Sequence, residues 1–453
     1  MLRSINPYTG QEFHRFEELS ETEIDAALQR SVTAFEKWRK TSFSERADLL
    51  RKTASVLRER KQDFGETMTR EMGKPITQSL AELEKCAWVC EYYADNGEQQ
   101  LSAKDVQTDA ERSYISYEPL GPVLAVMPWN YPYWQVFRFA APALMAGNVG
   151  VLKHASNVML SGQNIQKIFK AAGFPEGCFQ NLTISSKAVD AIIRDERIKA
   201  VTLTGSTAAG SAVASTAGEV IKKSVLELGG SNALVVFEDA DLEATAEICV
   251  QARFQNTGQS CIAGKRLLVQ ESIHEEFLQI FKKQVEDLKA GDPMDPETYI
   301  GVQAREDLAK ELESQVNRSV EQGARIILGG KRKEAYYEPT ILTGVTRNMP
   351  VFEEETFGPA MGVSVFKDEA EAVELVNSSK FGLGVSIFTR ELERAERLIL
   401  QFEDGAVFVN ELVKSDPRLP FGGTKESGYG RELSFHGIRE FVNIKTVYLN
   451  GLK

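Results

Sequence analysis

Short apolar segments that alternate with helix-patterned ones constrain this chain more than any other feature. Residues 150–153, 200–204 and 232–236 read as buried strands, each followed by helical or loop-then-helix sequence, and 266–269, 324–328, 362–366 and 406–409 repeat the rhythm in the second half. Strands of this length, separated by helices, belong to a doubly wound sheet with helices packed on its faces. The predicted class is therefore α/β. Residues 21–59 carry apolar side chains three or four apart (Ile24, Leu28, Phe35, Trp38, Leu50, Leu57) and predict two helices parted by a cap region at 41–44. A further helix runs through Cys86 and Tyr93. A chain of 453 residues is too long for one hydrophobic core, which predicts two or three domains.

Charge and patterning exclude several classes. The net charge of −12 argues against non-specific nucleic-acid binding, which needs clustered Lys and Arg. The most apolar stretch, 119–152, is broken by Pro122, Pro128, Pro132 and Pro142 and carries Arg138, so it reads as buried strand and helix rather than as a membrane segment. The opening residues lack an apolar core of signal-peptide length, and five scattered cysteines (86, 90, 178, 249 and 261) fit a reducing cytoplasm rather than a disulfide framework. Cys86 and Cys90 share a helix face, but no second pair or histidine motif accompanies them, so no metal site is expected.

Three segments carry chemistry. Cys261, in Phe254-Gln255-Asn256-Thr257-Gly258-Gln259-Ser260-Cys261, supplies a soft nucleophile; Glu227, in Glu227-Leu228-Gly229-Gly230, supplies a carboxylate; and Pro128-Trp129-Asn130-Tyr131-Pro132 supplies an amide donor. Together they resemble the catalytic set of the aldehyde dehydrogenase superfamily. The resemblance runs over nearly the whole chain and in order. Thr204-Gly205-Ser206 stands where a strand feeds a helix start and matches the family's cofactor turn; it lacks the Lys-Ser/Thr of a P-loop. Leu152-Lys153-His154-Ala155-Ser156 matches the strand end at the adenine ribose, and Glu354-Glu355-Thr356-Phe357-Gly358-Pro359 matches the segment at the nicotinamide ribose. Residues 420–432, from Pro420 and Phe421 to Arg431 and Glu432, match the C-terminal signature.

The resemblance implies an aldehyde dehydrogenase-like fold: two doubly wound Rossmann-like domains plus a small β oligomerisation element. Residues 1–102 and 121–226 would form the dinucleotide-binding domain, 227–411 the catalytic domain, and 103–120 with 412–453 the oligomerisation element and anchor segment. Cys261 would form a thiohemiacetal and then a thioester, Asn130 with the Cys261 backbone N–H would hold the oxyanion, and Glu227 would activate the deacylating water. Trp129, Lys153, Ser156, Gly205, Ser206, Glu355 and Phe357 would bind the cofactor.

Within the family the resemblance narrows to the succinate semialdehyde dehydrogenases. Arg138 would take the substrate's distal carboxylate, with Ser415 in the anchor loop and Trp134 and Phe421 as apolar walls; a structural ion pair is the alternative role for Arg138. Gln255 stands where some members have a second carboxylate-binding arginine, and Ile262 and Ala263 leave Cys261 without a neighbouring cysteine. Ser156 replaces the glutamate that NAD-preferring members often carry, so NADP is expected over NAD. A small-molecule aldehyde, a cytoplasmic location, and a homodimer with a homotetramer as the larger assembly complete the expectation. The competing readings are a broad-specificity aliphatic or ω-semialdehyde dehydrogenase and a catalytically silent structural homologue.

Overall fold

In the computed structural model residues 2–451 are described; Met1, Leu452 and Lys453, the outermost residues of the predicted segments 1–102 and 412–453, lie outside them. The break expected at 41–44 falls between α1 (Glu21–Trp38) and α2 (Phe43–Glu59). Ser20 and Ser42 open these helices with reciprocal capping boxes to Glu23 and Glu45, each cap worth about 1 kcal/mol. A third helix, α3 (Lys61–Met72), stops at Gly73, whose φ of 75° is left-handed, and the chain turns into α4 (Ile76–Leu101). Every residue of α5 (Trp134–Met145) is buried. The apolar stretch around it becomes buried strand on both sides, Pro122–Met127 and Val149–His154, and among the described residues no helix is long and apolar enough to cross a membrane.

Two large sheets organise the molecule. The first has the order Gly428–Tyr429, Lys223–Glu227, Ala200–Thr204, Pro122–Met127, Val149–His154, Phe179–Asn181, all parallel except the short first strand. The second has the order Arg325–Leu328, Thr340–Thr343, Ala360–Phe366, Gly264–Gln270, Asn232–Val236, Val385–Phe388, Val407–Val409. The chain leaves the first sheet after Glu227 and enters the second at Asn232, so the four residues between them lie at the junction. The strand expected at 324–328 is not a buried parallel one: it pairs antiparallel with Thr340–Thr343 at the sheet edge, where Arg325 and Ile326 face solvent. Edge position accounts for the charged residue at its start. A third, antiparallel sheet joins Lys104–Asp105, Arg112–Pro119 and Val442–Leu449, and its outer strand leaves Ile444, Tyr448 and Leu449 exposed.

Candidate active site

Cys261 follows a backbone that few sequences tolerate. Asn256, Thr257 and Gly258 take φ of 56°, 54° and 72°, three consecutive left-handed residues, and for a β-branched threonine that conformation is strained. Tertiary bonds hold it. Asn256 N–H donates to Gln78 Oε1 of α4 (2.6 Å), Gly301 N–H donates to Thr257 Oγ1 (3.0 Å), and Asn256 Nδ2 donates to the carbonyls of Asn130 and Gln259 (2.9 Å each). A β-carbon on Gly258 would lie 2.5 Å from the backbone C and O of Gly358, so only glycine fits the close approach. Arg253, fully buried, donates to the carbonyls of Thr356 and Gly358 and fixes the segment that carries Phe357. Lys265 donates to Cys261 O (2.9 Å) and to Glu355 Oε1 (2.9 Å), which ties the nucleophile's backbone to the Glu355 segment.

Two cavities meet at Cys261. The first, about 620 Å³, is walled by Trp129, Asn130, Gly205, Ser206, Glu355 and Phe357 among others. Ser206 caps the helix Thr207–Glu219 by accepting from Ala209 N–H, which presents a helix N-terminus to this cavity. Free backbone donors at a helix start, a glycine that permits close approach, and two aromatic faces set edge to face at 5.6 Å suit a dinucleotide's phosphate and rings. The second cavity, about 400 Å³, is walled by Trp134, Arg138, Ser415 and Phe421 with Cys261, and also by Glu82 and Lys85 of α4. Glu82 was not foreseen, yet it sets the geometry: its Oε1 accepts from Tyr133 N–H (2.8 Å) and Trp134 N–H (2.9 Å), anchoring the start of α5, while Lys74 pairs with its other oxygen.

Three of the expected residues lie off both cavity walls. Lys153 is buried near the end of its strand, where burial lowers its ammonium pKa, and Ser156 is exposed on the turn that follows; the strand neighbour of Lys153, Val126, does reach the first cavity. Glu227, at its strand end, is 2 % exposed and points toward the C-terminal segment: a β-carbon on Gly422 would come within 2.7 Å of its Oε1. Both its oxygens lack a hydrogen-bond partner among the described residues. Burial, then the neighbouring Glu432 charge, push its pKa well above the usual carboxylate range, with Arg138 and Arg431 opposing.

Electrostatics at the nucleophile follow from the same burial. The Cys261 thiol is pushed up to about 11, with Arg138 and Lys265 pulling it down. Arg138 is 2 % exposed and forms an ion pair with Glu432, donates to Thr204 Oγ1 (3.3 Å), and lies over the Phe421 ring at 4.5 Å. Arg138 thus forms a structural ion pair in addition to its place on the cavity wall. Asn130 Nδ2 donates to Gln259 O (3.2 Å), which keeps the amide beside the loop of Cys261. Among the described residues no group of three or more His, Cys, Asp or Glu is placed to hold a metal ion.

The model of the aldehyde dehydrogenase family matches residues 1–447. A probable NADP-type succinate-semialdehyde dehydrogenase of Synechocystis sp. is 50% identical over 99% of both chains, and an NAD(P)-type succinate semialdehyde dehydrogenase of Escherichia coli is 45% identical over 98% of this chain and 97% of its own. The crystal structure of succinic semialdehyde dehydrogenase from Streptococcus pyogenes with NADP superposes with a TM-score of 0.97 at 36% identity, covering 100% of each chain. The chain belongs to the aldehyde dehydrogenase family.

Proposed function

We propose that this aldehyde dehydrogenase oxidises succinate semialdehyde to succinate, with NADP preferred and NAD accepted. The observation that carries the reading is the second cavity: it shares Cys261 with the dinucleotide-shaped one, and three cations, Lys85, Arg138 and Lys414, stand on its wall with Glu82 and Glu411, a net positive lining that suits an aldehyde with an anionic far end. The relatives from Synechocystis and Escherichia coli are named for that substrate. Ser156 supports NADP because a serine, unlike a carboxylate, does not repel a 2′-phosphate, and Lys153 precedes it by three residues.

In this reading the Cys261 sulfur, once deprotonated, adds to the aldehyde carbon, and the new alkoxide is held by Asn130 Nδ2 and the Cys261 backbone N–H; such donors are worth about 2.7–4 kcal/mol each. When bound, the nicotinamide supplies the acceptor for the hydride. Loss of hydride leaves an acyl thioester on Cys261. Water then adds to the thioester carbon, its proton passing to Glu227, and the carboxylate leaves as the thiolate re-forms. For this step the Glu227 carboxyl would turn from its place beside Gly422 toward Cys261. The predicted division at 227 also suits this reading, since Glu227 ends one sheet and the chain enters the other at Asn232.

The exposed apolar strand Val442–Leu449 supports a homodimer in which a partner covers that edge, and five free cysteines suit a cytoplasmic location. The substrate reading is tested by kcat/KM for succinate semialdehyde against butanal, an uncharged aldehyde of equal length. A ratio well above one supports the carboxylate claim, and a ratio near one leaves a broad-specificity dehydrogenase; no NADPH formation with any aldehyde would indicate a silent homologue.

A further inference from the structure

We propose that Lys85 is the cation that receives the distal carboxylate of the aldehyde, acting with the Ser415 hydroxyl. The proposal deepens the substrate reading above and rests on it. Three cations stand on the wall of the second cavity: Lys85, Arg138 and Lys414. Arg138 is already neutralised by Glu432, and Lys414 donates to Glu411 (2.6 Å). Lys85 has no carboxylate partner among the described residues. Its Nζ donates to Ser415 Oγ at 2.9 Å and lies 4.4 Å from the centre of the Trp134 ring.

The two acids of the cavity wall are committed elsewhere. Glu82 accepts from Lys74 and from the backbone at the start of α5, and Glu411 is held by Lys414 and by Leu412 N–H. A half-buried ammonium with one neutral acceptor and one aromatic face keeps two N–H groups for an anion. Ser415 accepts from Lys85, so its own hydroxyl proton is left to donate. A carboxylate seated between them would gain a charge-assisted bond from each, while Trp134 packs against the carbon chain. Gln78, Glu82 and Lys85 recur along one face of α4, so the helix that holds the nucleophile loop and the start of α5 also presents this charge.

The groups facing Lys85 decide its titration. Burial is the main cause that lowers it, to about 8; Arg138 lowers it further, while Cys86, Glu82 and Asp416 raise it, and Glu411 and Lys414 share the cavity wall. Lys85 therefore loses its charge in the free enzyme as pH rises through about 8, and kcat/KM reports the free enzyme.

The test is the ratio of kcat/KM for succinate semialdehyde to that for butanal, which cancels titration of Cys261. In Lys85→Met the ratio falls roughly 10- to 100-fold, mainly through KM of the carboxylated substrate, as expected for loss of a charged hydrogen bond. Lys85→Arg retains the ratio within a few fold. In the wild type the ratio declines above a pH of about 8, and in Lys85→Met it is flat. A wild-type enzyme that discriminates strongly while Lys85→Met keeps the full ratio overturns the role of Lys85 and leaves the substrate reading standing. A wild-type ratio near one overturns both. If Lys85→Met does not fold, the wild-type pH profile decides, and a ratio that is constant from about pH 7 to 10 sinks the proposal.

Discussion

Gly258→Ala is the substitution whose consequence can be worked most directly from the structure. The residue has φ of +72°, where an L side chain costs about 1–2 kcal/mol. Its new β-carbon would sit 2.5 Å from the backbone C and O of Gly358 and 2.9 Å from Pro359 N. Backbone atoms cannot swing aside as a flexible side chain does, so the overlap adds about 1–3 kcal/mol, roughly 2–5 kcal/mol in all. Because Asn256, Thr257 and Gln259 are bonded to α4, the Asn130 turn and the 301–304 segment, the strain cannot be dispersed along the loop. It must displace either Cys261 or the segment carrying Phe357, and a displacement near 1 Å costs about a hundredfold in rate. The assay pairs kcat/KM with the thermal denaturation midpoint. Gly218→Ala serves as the control, since a β-carbon there meets nothing within 4 Å and the helix gains from alanine. Wild-type kcat/KM together with an unchanged midpoint in Gly258→Ala would refute the reasoning.

Three further outcomes are expected. Glu227→Gln should give a burst of NADPH near one per active site followed by turnover slowed about 10²- to 10⁴-fold, because acylation needs no water while deacylation does; rapid-mixing absorbance reads it, and a burst-free, near-normal rate would remove Glu227 from deacylation. Ser156→Glu should lower kcat/KM with NADP relative to NAD by roughly 10-fold or more, since the new carboxylate repels a 2′-phosphate; an unchanged ratio counts against the placing of the adenosine ribose at this turn. Burial pushes Glu71 up to about 7 from 4.5 although Ser4, Leu160 and Ser161 donate to it. Its folded pKa lies above the unfolded one, so the folded state holds the proton more tightly and stability falls as pH climbs from about 4.5 to 7, by about 3 kcal/mol at most. Denaturation midpoints of the wild type should drop over that window, and Glu71→Gln should flatten the slope; an identical slope in the variant contradicts the assignment.

The parts of the molecule legible in the sequence are those set by local pattern. The cap region at 41–44, the buried strands 150–153, 200–204 and 232–236, and the strand-to-helix turn at Ser206 all depend on neighbours within a few residues. Cys261, Asn130, Glu355 and Phe357 stood out through family motifs, and the structure lines one cavity with them. What stayed hidden depends on partners far apart in the chain. Nothing near Arg138 announces that Glu432 will neutralise it, and nothing near Tyr133 announces that Glu82 will hold its N–H. The orientation of Glu227 is equally remote, since its carboxyl lies against Gly422. One signal was available: Gln78, Glu82 and Lys85 place three polar side chains on one face of a helix otherwise buried through Leu83, Cys86, Ala87 and Cys90, a pattern that marks a lined cavity.

The most direct test of the whole account is the initial rate with succinate semialdehyde as substrate, measured in parallel with NADP and with NAD at equal concentration. Reduced cofactor should form with both, with kcat/KM favouring NADP, and activity should be lost in Cys261→Ala. A clear preference for NAD, or turnover that survives Cys261→Ala, would contradict the account.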